Sequence, residues 1–171
     1  MAQTAQYIVK DHLTQIIEAL NQAFAEEWLA YYQYWIGAQV AAGPMRPNIT
    51  EEFMEHANEE LKHAQMLSDR IIELGGTPVL TPADWTNIAK CRYEAPTDPC
   101  IFKVLHQNLN AERCAVSHYQ QLCDLCHGID YVTFRLAEKL LKEEIEHEQE
   151  IEDFIHDMDY LKYCDSEIKP L

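Results

Sequence analysis

The sequence predicts an all-α protein: a four-helix bundle in which a long crossover between the second and third helices carries a short extra helix. Two observations predict it. Chain breakers are few and clustered, with five Gly and seven Pro, four of the Pro between Pro78 and Pro99, so that 48–74 and 129–169 contain neither. Four long segments also repeat apolar residues every three or four positions, the mark of helices that bury one face. A chain of 171 residues, 47% apolar, is of a size to bury one continuous core, so 1–171 is expected to form a single domain.

The first helix runs from about Asp11 to Ala42 on a stripe of Ile17, Leu20, Phe24, Tyr31, Tyr34 and Ala38, and stops at Gly43-Pro44. The second opens at Thr50, an N-cap position, and its stripe continues through Phe53, Ala57, Ala64, Leu67, Ile71 and Leu74 to a left-handed stop at Gly75-Gly76. The third runs from about Cys100 through Leu105, Leu109, Val116 and Tyr119 to near Gly128. The fourth follows Asp130, a second N-cap position, and continues through Ala137, Leu140, Leu141, Ile151, Phe154 and Met158. Short links make antiparallel hairpins of the first and second helices and of the third and fourth. The link from Gly75 to Pro99 is long enough to let the third run parallel to the second. Within it, Thr81-Pro82 reads as the cap and first turn of a short helix reaching about Lys90.

Lys and Arg number 13 against 29 Asp and Glu, a net charge of -16. That balance argues against a phosphate-binding surface, and therefore against DNA, and suits the attraction of cations, although solubility alone also accounts for it. No window is apolar enough to span a membrane. Met1–Lys10 has neither the basic start nor the apolar run of a secretory signal, so the cytoplasm is the expected compartment and most of the six Cys are expected to be reduced.

A bundle interior should be apolar, yet each stripe carries one acid. Glu27 lies between Phe24 and Tyr31, while its neighbour Glu26 falls off the stripe. Glu60 lies between Ala57 and Ala64, with His63 one turn on; Glu112 lies between Leu109 and Val116; Glu144 and His147 lie between Leu141 and Ile151. Residues three apart on a helix share a face, so each Glu-x-x-His can hold one ion. One Glu from each of two helices and one Glu-x-x-His from each of the other two is the known arrangement of di-iron and di-manganese carboxylate bundles. Glu27 to Glu60 spans 33 positions and Glu112 to Glu144 spans 32, so the two halves repeat nearly in register. Four carboxylates balance two divalent ions, and oxygen with imidazole suits iron or manganese rather than the thiolate set that favours zinc. Glu60 and Glu144 are the expected bridging ligands, Glu27 and Glu112 the terminal ones, with His63 and His147 on one ion each. All six are candidate catalytic as well as metal residues. A bundle whose acids are merely solvated is the competing reading.

With these residues in hand, the chain resembles the ferritin-like superfamily. The segment Glu27-Trp28-Leu29-Ala30-Tyr31-Tyr32-Gln33-Tyr34 is similar to the first-helix motif of bacterioferritins, Glu60-Leu61-Lys62-His63-Ala64 to their second and Glu144-Ile145-Glu146-His147 to their fourth. Bacterioferritins take haem through a Met at the position of Leu61, so the resemblance stops short of haem. The crossover helix resembles that of the twelve-subunit Dps cages, and the combination is similar to the Dps-like proteins, or thioferritins. This resemblance implies two iron ions per subunit, oxidation of Fe(II) by H2O2 or O2, storage of Fe(III) in a homo-oligomeric cage, and defence against oxidative stress. A short segment after Lys162 favours a dodecamer over twenty-four subunits. The alternative is a manganese catalase or another di-metal redox enzyme that stores nothing.

The resemblance also implies a cysteine pair near the site, for which Cys91 and Cys114 are the candidates as possible redox cysteines. Cys114 lies two residues past Glu112 and points off the metal stripe, so a bridge to the crossover and two unpaired buried thiols both stay open. Cys123-Asp124-Leu125-Cys126-His127 matches the haem-attachment pattern, but that chemistry belongs to exported proteins; Cys123 and Cys126 read as packing thiols or a surface pair. His12, His56, His106, His118, His127 and His156 pair with no acid on a stripe and are expected mostly at surfaces or interfaces.

Overall fold

The computed structural model describes the backbone of residues 3–167 and the side chains of residues 4–160. Its helices are α1 (Gln3–Val9), α2 (Leu13–Val40), α3 (Arg46–Glu73), α4 (Trp85–Ile88), α5 (Ile101–Cys126) and α6 (Tyr131–Glu167). The bundle is α2, α3, α5 and α6, with α4 in the crossover, as the apolar stripes require. Among the described residues no helix is long and apolar enough to cross a membrane.

Side-chain pairings fix the helix directions. Tyr34 near the end of α2 meets Glu112 of α5, and Glu27 earlier in α2 meets Tyr119 later in α5, so these helices are antiparallel. The pairs His56–Glu150 and Arg70–Asp130 set α3 antiparallel to α6 in the same way. With α2 also antiparallel to α3, α5 runs parallel to α3, which only a long crossover permits. The crossover is stitched back where it ends: Ala42 N–H donates to Pro99 O at 2.7 Å and Ile101 N–H to Ala42 O at 3.0 Å. Gly43 is forced by this closeness, because a Cβ there would lie 2.8 Å from Ile101 Cγ2 and its φ is +147°.

Several boundaries differ from the sequence expectation. α3 starts at Arg46, four residues before Thr50, because Pro47 fits the first turn and Met45 takes the left-handed conformation before it. Thr50 is therefore inside the helix, its hydroxyl donating back to Arg46 O at 2.8 Å. The crossover helix is a 3-10 turn, Pro82–Asp84, followed by the single α-turn α4, and ends at Ile88 rather than Lys90; Thr81 makes no side-chain cap bond. α1 was not foreseen; it is separated from α2 by a break at Lys10, whose φ is +43°. Gly75 does supply the left-handed stop, at φ +78°. The segment 163–171 falls largely outside the described residues, α6 continuing to Glu167.

The apolar core is in two parts. One gathers Leu20, Phe24, Leu67, Ile71, Leu122 and Leu140, the other Tyr34, Phe53, Leu105, Leu109 and Ile151. Their residue numbers place the six ionisable candidates between them on every helix. Towards the α6 start, Asp130 caps the helix by accepting from the Val132 and Thr133 N–H groups, both at 3.1 Å. Arg70 donates to both of its oxygens at 3.0 and 2.8 Å.

Burial alone would raise the Asp130 pKa, but the bonds from Thr133 and Arg70 prevail and hold it below the usual value. Its stabilisation is therefore present above the ordinary Asp range and lost as pH falls through the lower native value. Asp130→Ala removes the α6 cap and one of the two carboxylates on Arg70, Glu73 remaining 2.9 Å away, and is expected to cost about 2–3 kcal/mol at neutral pH. Urea titration reads this as a lower midpoint, and the gap to wild type should shrink in strong acid.

Candidate metal centre

The sequence puts Glu27 on α2, Glu60 and His63 on α3, Glu112 on α5, and Glu144 and His147 on α6, each at a core-facing position. The fold brings all six together, every one at most 3% exposed. Two overlapping sets result. Glu27, Glu60, His63 and Glu144 each offer a donor atom within 4.8 Å of the others, and so do Glu60, Glu112, Glu144 and His147. Glu60 and Glu144 belong to both sets.

Donor directions bear on what the sets could hold. His63 Nδ1 lies 2.9 Å from Glu60 Oε2 and 3.0 Å from Glu144 Oε1; His147 Nδ1 lies 3.3 Å from Glu60 Oε1. Both Nδ1 atoms, both Glu60 oxygens and Glu144 Oε1 are buried without a hydrogen-bond partner, although such atoms are nearly always paired. Lone pairs left over in a closed layer and directed at shared points are what a pair of cations would take up. The set contains no thiolate, and its mixture of oxygen and imidazole fits iron or manganese.

A second ring of contacts holds these donors in place. His147 Nε2 lies 2.9 Å from Glu59 Oε2 and His63 Nε2 3.2 Å from Glu143 Oε2, which turns each Nδ1 inward. Tyr119 O–H donates to Glu27 Oε1 and Tyr34 O–H to Glu112 Oε1, each tyrosine reaching across to the opposite half. Burial, and then the neighbouring carboxylates, push both phenols well above their ordinary pKa, so they remain donors.

In the metal-free layer, protons do the work of cations. Burial disfavours every charge, but the histidines prevail over it at Glu60 and Glu144, which are held below the usual carboxylate range. Burial opposes charge on the imidazoles too, yet contacts with Glu144, Glu60 and Glu27 raise His63 strongly, and contacts with Glu144 and Glu60 raise His147 to about 12. Glu27 and Glu112 are pushed well up, first by burial and then by Glu144 and Glu60.

On the α2–α5 side, a cavity of about 30 Å³ is lined by Glu27, Glu112 and Glu144 and, towards the crossover, by Cys91 and Tyr93. That is room for a molecule of the size of water or peroxide, since one water needs ~10–15 Å³ by this measure. Cys91 and Cys114 are joined as a disulfide with Cα atoms 5.7 Å apart, so of the two options open in the sequence the structure adopts the bridge. Cys123 and Cys126 are buried free thiols, the packing option, and burial raises the latter to about 12.

The profile of the ferritin-like domain matches residues 17–161. The chain belongs to the ferritin-like family. Its relatives include the DNA protection during starvation protein of Pyrococcus furiosus, 36% identical over 143 residues, 82% of this chain and 77% of that protein. Another is the bacterioferritin of Brucella melitensis, 28% identical over 134 residues, 78% of each chain. Among solved structures, the bacterioferritin-related protein of Bacteroides fragilis, a dodecameric thioferritin, superposes with a TM-score of 0.94 at 44% identity, covering 98% of this chain and 100% of its own. Dps from Thermosynechococcus elongatus, 18% identical with a TM-score of 0.80, covers 90% of this chain and 95% of its own and shares the fold.

Within this ferritin-like frame, three residues expected away from structural sites prove to be buried. Glu26 is off the apolar stripe but is covered by the crossover, accepting from Lys90 N–H at 2.6 Å and Cys91 N–H at 3.2 Å and pairing with His118. His118 is thus a buried clamp and no surface residue. His56 is buried as well, 2.9 Å from Glu150 and stacked on His147 with ring centroids 4.1 Å apart. The tyrosine ties had a signal in the sequence: Tyr34 follows Glu27 by seven positions, and Tyr119 follows Glu112 by seven. Leu61 is 39% exposed on the outer side of α3 and lines a groove with Phe24 and Trp28.

A divalent ion entering these sets would have to displace the His63 and His147 protons. Both pKa values are raised, so the charged pairs stabilise the metal-free layer fully below the ordinary His value and lose that effect only as pH rises through the raised ones. Metal entry at neutral pH is expected to release protons and to tighten as pH increases. Calorimetric titration with Co(II) in buffers of different ionisation enthalpy measures the release; identical heats in all buffers would contradict these charge assignments.

Proposed function

We propose that the protein is a ferroxidase and iron-storage cage subunit that binds two Fe(II) per chain, oxidises them with H2O2 or O2, and sequesters Fe(III), with 1–171 acting as one ferritin-like unit. The observation that carries this reading is the pair of four-donor sets sharing Glu60 and Glu144. In it Glu60 and Glu144 would be shared by the two ions, Glu27 and Glu112 would be terminal ligands, and His63 and His147 would each serve one ion. The same donors accept manganese, but the ferritin-like relatives favour iron.

Two Fe(II) held side by side give up one electron each. One H2O2 accepts both electrons and two protons and leaves as two waters, so no one-electron radical product is required. The chain's own contribution is to hold the donors rigid, through Tyr34, Tyr119, Glu59 and Glu143, and to admit a small neutral oxidant. The cavity beside Cys91 suits that entry. We assign Cys91 and Cys114 as the redox-active pair on the same side.

The dodecameric state of the Bacteroides fragilis relative supports a cage of twelve here, since its structure covers nearly the whole of this chain. The name of the Pyrococcus furiosus relative supports a protective role. With a net charge of -16 that protection works by removing Fe(II) and peroxide, without contact with DNA.

Anaerobic Fe(II) loading, followed by either oxidant and a light-scattering mass, tests the proposal. The expected result is rapid oxidation with iron retained in the particle; turnover of peroxide without retained iron would count against storage. Glu60→Ala removes a ligand shared by both ions. It should slow oxidation by at least about 100-fold, the upper end for loss of an outer-shell partner.

A further inference from the structure

The α3–α6 seam continues past the paired sets as a third cluster. His56 Nε2 lies 2.9 Å from Glu150 Oε2 and 3.6 Å from Glu52 Oε1, and the three donor atoms fall within 4.8 Å of one another. We propose that Glu52, His56 and Glu150 form a third divalent-cation site, separated from the two-ion centre by a single imidazole ring, through which cations pass between the seam and the centre. The transit role rests on the two-ion reading above; the donor set does not.

Three features separate this cluster from an ordinary patch of surface acids. First, it contains a nitrogen donor that is itself 2% exposed, in a set of one imidazole and two carboxylates that suits Fe(II), Mn(II) or Zn(II). Second, the ring is held rather than free. It stacks on His147 at 4.1 Å and meets Tyr34 edge-on at 5.0 Å, and its Nδ1 is buried without a partner while Nε2 faces the two carboxylates. Third, negative charge is in surplus there. The Glu52 carboxyl is raised by burial first, then by Glu150, Glu55 and Glu51, a crowding that a cation between Glu52 and Glu150 would relieve.

Geometry also gives the cluster a place on a route. Glu150 is about half exposed and Glu52 about a quarter, so the outer side of the site is open to water. Three protein donors leave coordination positions for water, which makes for an exchangeable site and not a closed structural one. On the inner side, His56 touches two groups of the centre, the ligand candidate His147 and Tyr34, which holds Glu112.

The test is an anaerobic Co(II) titration of the metal-free assembly by calorimetry, for wild type and for Glu52→Gln with Glu150→Gln. Glu150 is about half exposed, Glu52 about a quarter, and Gln matches Glu in volume, so the pair of substitutions removes charge without opening the core. Three ions per chain in wild type and two in the variant support the proposal, and anomalous scattering at the cobalt edge should place the missing ion beside His56. Two ions in wild type, or three retained in the variant, would overturn it. A single wild-type ion that the variant loses would overturn the two-ion centre and leave this site standing.

Discussion

The fold is organised around one costly layer: four carboxylates and two imidazoles closed off from water between two apolar clusters. Ions in such a place lose several kcal/mol each in desolvation, and like charges repel strongly where water is excluded. The layer persists only if opposite charge is always present, as protons on His63 and His147 or as bound cations. This requirement sets the register of the bundle. Four stripes must bring their acids to one level, and the near-equal separations of Glu27 from Glu60 and Glu112 from Glu144 achieve that by repeating one helical hairpin. The tyrosines follow the same symmetry, each crossing between α2 and α5 to the terminal acid of the other half.

The two sides of the layer differ in chemistry. On the α2–α5 side the crossover lies over the helices, fastened by Trp85 stacked on Trp28, by the Glu26–His118 clamp and by the Cys91–Cys114 bridge. The cavity beneath is small and mainly apolar in its walls, with Leu29, Ala30, Ala111 and Ala115 among them. On the α3–α6 side the seam is acidic, with Glu52, Glu59, Glu143 and Glu150 set against buried histidines. A negative seam draws cations and an apolar cavity admits neutral molecules. In the ferroxidase reading proposed above, electron donor and acceptor would thus arrive from opposite sides without competing for one entrance.

Much of this was legible in the sequence, because the signals were periodic. An acid on an apolar stripe stands out wherever the helix is long, and all six candidates fall in long helices. The α3 start was missed for a local reason: a left-handed Met45 lets Pro47 occupy the first turn, and nothing in the pattern requires that conformation. His56, His118 and Glu26 were missed for a tertiary reason. Periodicity within one helix reports the face towards the bundle axis, whereas Glu26 and His118 are buried by the crossover and His56 lies in the seam between two helices. The Cys91–Cys114 bridge has the same origin, since only the path of the crossover brings residue 91 beside α5.

Glu–His contacts occur throughout this chain, and their geometry sorts them. Glu26 has both oxygens engaged by the chain itself, one by the Lys90 and Cys91 N–H groups and the other by His118, so nothing is left over for a ligand. Glu59 spends an oxygen on His147 Nε2, and that bond is first among the causes that lower its pKa, as expected of an acid that orients a neighbour. Glu60 is the opposite case: fully buried, close to both imidazoles, and with neither oxygen in a hydrogen bond. Since leaving a buried acceptor unsatisfied costs ~1–3 kcal/mol and more for a charged one, such an arrangement is kept only where positive charge, imidazolium protons or bound cations, faces those lone pairs. Within the closed layer, the acids that the chain itself satisfies hold the structure together, and the unsatisfied ones are the candidates for holding cations.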